Sequence, residues 1–435
     1  MDRREFLIAA TGSGVAALGS GPAQAAVMQA AVPAAGSFPD RNSSWAAVKQ
    51  QFTIAPGIVQ MTSFYLASHP KPVRDAIERH RRGLDENSVH YIDENVARLE
   101  RGVRSAASTY MGANADDLAF TDSTTMGLGL IYSGLKLKPG QEVLTDTRDH
   151  IVTHLSARNG AERSGAAYRQ AALYADPAKV SVDEVVANVR SNLRSNTRLF
   201  AMTWVHSGTG VKMPVQAIAE VVRAHNRGKS PEERTLFAVD GVHGFGIENV
   251  AIPELGADFF IAGTHKWLTG PRGTGLIWGR SDAWPFVQPT IPTFDPIWRP
   301  PPLERMPLAA LHTPGGFHSF EHRWALAEAF QFHSGIGKDR VAARVHQLNS
   351  LAKSHMARLP KVKIHTPMSD ELSAGIIAFE VAGMTPRQVV DRLQHHGIVA
   401  SVTPGFYRPA LARVAPSLLT LEEDVHRTVR AIAAL

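Results

Sequence analysis

Between residues 118 and 278 short apolar runs alternate with longer amphipathic stretches, and this restricts the fold more than anything else in the 435-residue chain. The runs are Leu118-Ala119-Phe120, Glu142-Val143-Leu144 and residues 199–205, 236–239, 259–262 and 275–278. Between several of them lie segments of helical period at 125–135, 151–164, 181–193 and 215–225. Runs without polar alternation are the mark of strands buried on both faces, so the expected class is α/β, a mostly parallel sheet covered by helices on both sides. Ligands in such sheets sit at the carboxyl ends of the strands. Residues 93–112 also carry a helical period, ending near Gly112, and Ser181-Val182-Asp183-Glu184 has the spacing of a capping box.

After Pro301-Pro302 the texture changes. Helices are expected at 322–333, 339–359 and 386–396, strands at 362–364, 375–381 and 397–402, and a closing helix from Leu421. This divides the chain into a large domain at 56–300 and a smaller α+β domain at 315–435, after a leader and N-terminal segment at 26–55.

Arg3-Arg4-Glu5-Phe6-Leu7, a mild apolar stretch over 8–18 and Pro22-Ala23-Gln24-Ala25 follow one another in the order of a twin-arginine export signal. That reading predicts cleavage after Ala25, a periplasmic protein and the twin-arginine export machinery as a partner; the alternative is a cytosolic arm with a chance arginine pair. Because this route carries folded proteins, often already loaded, it also points to a bound cofactor. Beyond the first two dozen residues no apolar run reaches the roughly 18–20 residues needed to cross a bilayer, so no stable membrane anchor is expected. The formal charge of +6 is spread without a basic run, which argues against nucleic acid as a partner. The chain holds no cysteine, which excludes disulfides, thiolate metal sites and cysteine nucleophiles. With neither a Walker A loop nor a His-Glu-x-x-His helix, no metal site is expected.

Four segments place a reactive or polar residue beside an expected strand end. In Phe120-Thr121-Asp122-Ser123-Thr124-Thr125, a hydroxyl-rich helix start either holds a phosphate or is simply capped by Ser123 or Thr124. In Phe237-Ala238-Val239-Asp240-Gly241-Val242-His243, Asp240 either meets a cationic ring nitrogen or caps a turn. In Ile261-Ala262-Gly263-Thr264-His265-Lys266, the lysine is either a Schiff-base amine with a lowered pKa or a solvated loop residue. After the strand at Glu142-Val143-Leu144, in Asp149-His150, the imidazole either stacks on a planar cofactor or caps the next helix.

Taken in order, the Ser-Thr-Thr turn, Asp-His, Asp-Gly-x-His and Thr-His-Lys segments resemble the class V aminotransferase superfamily over residues 56–435, with Lys266 lying 26 residues after Asp240 as that family has it. The resemblance implies fold type I, with a mostly parallel seven-stranded sheet and a smaller C-terminal α+β domain, pyridoxal 5′-phosphate as cofactor, and a homodimer. It implies that Lys266 binds the cofactor covalently and moves protons at the substrate Cα, that Asp240 pairs with the ring nitrogen, and that His150 stacks on the ring. By the same resemblance His243 and Ser207 approach the ring oxygen, and Ser123, Thr124, Thr125, Thr264 and His265 lie on the phosphate side. Relatives often carry Asn where Ser207 stands, and His206 is a competing residue facing the substrate. Arg413, within Ala412-Arg413-Val414-Ala415-Pro416, resembles the arginine that binds a substrate α-carboxylate; Arg408 competes for that role. Where relatives have Gly-Thr reaching the partner's phosphate, this chain has Gly316-Phe317.

The branch most resembled is the isopenicillin N epimerase-like one, on Asp149-His150-Ile151-Val152-Thr153-His154 and the Arg413 segment. A second resemblance, through the export signal, is to the periplasmic pyridoxal-phosphate enzyme of pyoverdine siderophore maturation. The substrate implied is an amino acid or peptide-like small molecule with an amino group next to a carboxylate. Epimerisation, transamination and decarboxylation or oxidation all remain open, and a binding protein that has lost catalysis is the rival from another class. Without cysteine, desulfuration of the usual kind is not expected.

Overall fold

The computed structural model describes residues 38–294 and 303–435, so the twin-arginine segment, the cleavage predicted after Ala25 and Pro301-Pro302 lie outside the described residues. The chain enters through α1 (Trp45–Gln50) and β1 (Val59–Gln60), followed by the long α2 (Lys71–Met111), which is kinked at Asn87 and closed by Gly112 in the left-handed conformation. The large sheet then builds through β2 (Leu118–Thr121), α3 (Thr124–Gly134), β3 (Glu142–Asp146), α4 (Ile151–Ser164), β4 (Ala167–Ala171), α5 (Val182–Asn192), β5 (Thr197–Thr203), α6 (Val215–His225), β6 (Leu236–Asp240), β7 (Phe259–Gly263) and β8 (Gly275–Gly279). Its order is β2-β8-β7-β6-β5-β3-β4, with β8 alone antiparallel to its neighbours.

Each strand of this sheet feeds two cores. In β6, Leu236 and Ala238 join the core beneath α3 and α4, while Phe237 and Val239 join the one on the opposite face, and Phe259 to Ala262 in β7 alternate the same way. That is why these strands read as unbroken apolar runs. Emptying one such site, as in Phe260→Ala, is worth about 3–5 kcal/mol.

The C-terminal part comprises α7 (Leu308–Leu311), α8 (Phe320–Ile336), α9 (Lys338–Met356), β9 (Val362–Ile364), β10 (Ile377–Val381), α10 (Pro386–His395), β11 (Ile398–Val399), β12 (Ser401–Val402), β13 (Ala412–Val414) and α11 (Glu422–Ala433). Its sheet runs β12-β13-β10-β9 and is antiparallel.

Four details differ from the sequence reading, the first being that the helix expected at 93–112 begins at Lys71. The strand expected at 397–402 is broken in two, since β11 leaves the four-stranded sheet to pair in parallel with β1, which ties Val59 and Met61 into the C-terminal core. Strand β4 was missed because Ala-Tyr-Arg-Gln-Ala at a sheet edge has little apolar signal. Ser181 does cap α5 by accepting the Glu184 amide at 3.2 Å, but the Glu184 carboxylate accepts the Ala175 amide at 2.8 Å, so the capping box is not reciprocal. Among the described residues no helix is long and apolar enough to cross a membrane.

Candidate active site

The chain order reverses direction between β3 and β5, and the loops leaving the carboxyl ends of β2, β3, β5, β6 and β7 open on the same edge of the sheet. Asp240 is the last residue of β6 and is 2% exposed. Gly241 follows because the Phe260 ring leaves no room for a side chain, a Cβ there falling 2.0 Å from it. The carboxylate accepts the Val242 amide at 3.2 Å, and no cation among the described residues stands within ion-pair distance. Burial pushes its pKa up to about 6, with Lys266 acting in the opposite direction and Asp149 reinforcing the rise.

Lys266 follows β7 by three residues, and its Nζ lies 3.4 Å from His243 Nε2. Burial pulls the amine down to about 8, against the attraction of Asp240 and with the repulsion of Arg413. His243 is buried and held neutral by burial first and then by Lys266 and Arg413; its Nδ1 has no partner among the described residues. At the start of α3, Ser123 accepts the Met126 amide at 3.1 Å, Thr124 accepts the Gly263 amide at 2.7 Å, and Thr125 is exposed. The first amides of a helix have no acceptor within it, so this turn offers donors and the positive end of a dipole to an anion. His265 lines the same end, its pKa pulled to about 4 by burial, Lys266 and Arg272.

His150 fills the capping role at α4, its Nδ1 accepting the Val152 amide at 3.3 Å, and its ring also lines the cleft, where Phe406 meets it edge-on at 5.0 Å. Burial, Lys266 and Arg413 pull its pKa to about 4.

Arg413, on β13, reaches from the small sheet to Ser207 of the cleft lining. It is 3% exposed and lies 4.6 Å from the centre of the Phe64 ring. Nη1 donates to the Ser207 carbonyl at 2.7 Å and hydroxyl at 2.9 Å, Nη2 to Ser401 Oγ and the Val402 carbonyl at 3.0 Å each, and Nε is buried with no partner among the described residues. Burial draws its pKa to about 10. All its acceptors are neutral, so among the described residues this buried cation has no counter-ion.

Thr264, His206 and Arg408 lie outside the cleft lining, and Ser207 lies within it. Thr264 is fully buried and bonds Thr274, donating to its carbonyl at 3.1 Å, so its hydroxyl serves the turn and it does not line the cleft. Ser207 lines the cleft, and its hydroxyl oxygen accepts from Arg413. His206 lies behind it, with Nδ1 2.8 Å from the Tyr174 hydroxyl and Nε2 3.4 Å from Asp146 and 3.7 Å from Asp149. Arg408 is exposed and bonds backbone carbonyls of its own loop, whereas Arg413 is the buried guanidinium that bonds Ser207 of the cleft lining. Sequence reasoning missed Thr203, a buried hydroxyl without a partner that ends β5 and lines the cleft; a polar residue closing an apolar run was the available signal. It also missed Phe64, which lies in a loop without a readable pattern.

A family model described as aminotransferase class-V matches residues 67–430. Isopenicillin N epimerase of Streptomyces clavuligerus is 25% identical over 411 residues, spanning 90% of this chain and 98% of that protein. The enzyme of the same name from Amycolatopsis lactamdurans is 24% identical, spanning 90% and 99%. A probable cysteine desulfurase of Halalkalibacterium halodurans is 22% identical, spanning 85% and 90%. Among solved structures, a lysine-to-alanine mutant of C-DES with glycine linked covalently to its pyridoxal-phosphate cofactor matches at a TM-score of 0.79 and 20% identity, covering 88% of this chain and 98% of that one.

Proposed function

This chain belongs to the aminotransferase class-V family, whose cofactor is pyridoxal 5′-phosphate, and from that premise we propose that it transforms the amino-bearing carbon next to a carboxylate in an amino acid or peptide-like metabolite. The residues present fit the cofactor. A partly desolvated amine, a buried carboxylate with no cation, an imidazole nitrogen and a hydroxyl without partners, and a helix start all border one cleft. Lys266 would hold it covalently, Asp240 its ring nitrogen, His243 and Thr203 its polar edge, and Ser123, Thr124, Thr125 and His265 its phosphate. When bound, the cofactor supplies an electron sink that acidifies the substrate Cα–H.

The observation that carries the substrate class is the buried Arg413 guanidinium with its unpartnered Nε and neutral acceptors. A carboxylate is the anion suited to it, accepting from Nε–H and taking the place of a neutral acceptor on Nη2. Binding it there brings Cα toward Lys266, whose amine, with a pKa drawn to about 8, is suited to take and return a proton near neutrality. Isopenicillin N epimerase-like chemistry at Cα is favoured by the two relatives of that name. The absence of cysteine argues against desulfuration by a protein thiol. The Arg3-Arg4 signal supports twin-arginine export to the periplasm, and the family resemblance supports a homodimer.

The test is proton exchange at Cα. The purified full chain, loaded with cofactor and incubated with candidate amino acids in D2O, is expected to erase the α-proton signal in the NMR spectrum. Lys266→Ala is expected to abolish this exchange, along with the borohydride-trapped adduct between the cofactor and the protein. A loaded wild-type protein that exchanges no α-proton in any candidate overturns the reading.

A further inference from the structure

Behind His206, Gly208 and Tyr407 lies a second cavity of about 330 Å³. Small-molecule pockets begin at roughly 300 Å³, so it has room for several heavy atoms. Its other walls are the turn after β4 that carries Arg148's partners, Lys363 and His365 of β9 and the residue after it, and Arg408.

The charges of this cavity are unbalanced. Arg148 donates to the carbonyls of Tyr174 at 2.8 Å and Ala175 at 2.7 Å and stacks 4.4 Å from the Tyr174 ring. Arg408 donates to the carbonyls of Gly405 and Tyr407. Lys363 pairs across the strands with Glu380, but that carboxylate stands 3.3 Å from His365 Nε2. Among the described residues none of the three cations has a carboxylate within ion-pair distance. The one carboxylate in the lining, Asp176, accepts the Ala178 amide at 3.0 Å.

The cavity also adjoins the catalytic cleft. Tyr407 is pressed on Gly208, where a Cβ would fall 2.8 Å from its ring, and its hydroxyl is buried beside Ser207. The next residue toward the cleft, Ser207, is the one Arg413 grips. One side chain therefore separates the guanidinium that would take an α-carboxylate from a room lined by three further cations.

We propose that this cavity seats a second anionic group of the substrate, so that the enzyme acts on α-amino acids whose side chain ends in a carboxylate or a comparable anion. This deepens the function proposed above and rests on it. Arg413 fixes the α-carboxylate, Tyr407 is the partition the side chain passes, and Lys363 and Arg408, whose charged ends are exposed, meet the distal anion.

The test is a titration of the cofactor-loaded full chain with L-glutamate and L-2-aminoadipate against the neutral L-glutamine and L-norleucine, read from the visible absorption. The dicarboxylates are expected to bind about tenfold more tightly, as two or three solvent-screened charge contacts allow. The double variant Lys363→Gln/Arg408→Gln is expected to remove that preference and leave the Kd of the neutral amino acids unchanged. Equal affinity of glutamate and glutamine in the wild type, or a preference that survives the double variant, overturns this inference and leaves the proposed function standing. If no amino acid shifts the absorption, both fall.

Discussion

Arg413 holds Ser207 twice with the same nitrogen, through the carbonyl at 2.7 Å and the hydroxyl at 2.9 Å. The guanidinium that would receive a substrate carboxylate is therefore aimed by a residue of the cleft lining, so the loop after β5 of the large sheet holds the direction of a side chain rooted in the small one. Ser207→Ala removes the hydroxyl and keeps the carbonyl. A hydrogen bond to a charged group is worth about 1.5–3 kcal/mol, so KM is expected to rise at least tenfold with a smaller change in kcat. Steady-state kinetics separate the two.

Cofactor capture by the apoenzyme should depend on pH through Lys266. Only the neutral amine attacks an aldehyde, and burial sets its pKa at about 8. The capture rate, followed by visible absorption, is expected to rise as pH increases from 6 and to level off above about 8.

Asp240→Asn keeps the shape of the carboxylate and removes its charge. The protein is expected to fold and take up the cofactor, while Cα-proton exchange falls by about 10²–10³, the size of effect seen when one preorganised electrostatic partner is lost. NMR exchange rates normalised to bound cofactor measure it.

Stability should decline in mild acid. His69, His80, His150 and His265 are drawn to about 4 and His333 to about 3, in each case chiefly by burial. Between these values and 6.5 the unfolded chain binds protons that the native state refuses, so native stability falls as pH drops through that window. Asp146, Asp149 and Asp240, raised to about 6 by burial, act in the opposite sense, being ionised in the unfolded chain while still protonated in the native one. Five histidines with the larger shifts outweigh three carboxyls, and the thermal midpoint of the apoenzyme is expected to be lower at pH 5 than at pH 7.

Gly241→Ala places a Cβ 2.0 Å from the Phe260 ring, in the residue directly after Asp240. Overpacking of this kind costs about 1–3 kcal/mol. A lowered urea midpoint together with weaker cofactor retention is the expected result.

The chemistry at the strand ends was legible in the sequence because physics places it next to the most readable signal there is. Val239 and Ala262 belong to fully buried strands, so the polar residues after them stand out, and Asp240 and Lys266 meet in one cleft as their segments suggested. What did not show was whatever depends on distant pairing. Nothing local in Ala167–Ala171 announces an edge strand, and nothing near Ser207 reveals that its hydroxyl is taken by a residue 206 positions away. Thr264 was misjudged for the same reason, since its bond to Thr274 is made by a turn whose closure no local pattern encodes.

The pairing of Val59 with Ile398 sets an order on biosynthesis. A ribosome must emit some 340 further residues before the first strand finds its neighbour, and closing so long a loop defers the reward for it until almost the whole polypeptide has emerged. Ser63 and Ser417, 2.9 Å apart, fasten the same seam. A nascent chain cut short before Ile398 therefore leaves the edge of Val59 and Gln60 unpaired and their core short of Ile398, Ala412, Val414 and the closing helix, an open strand edge that the finished copy does not present.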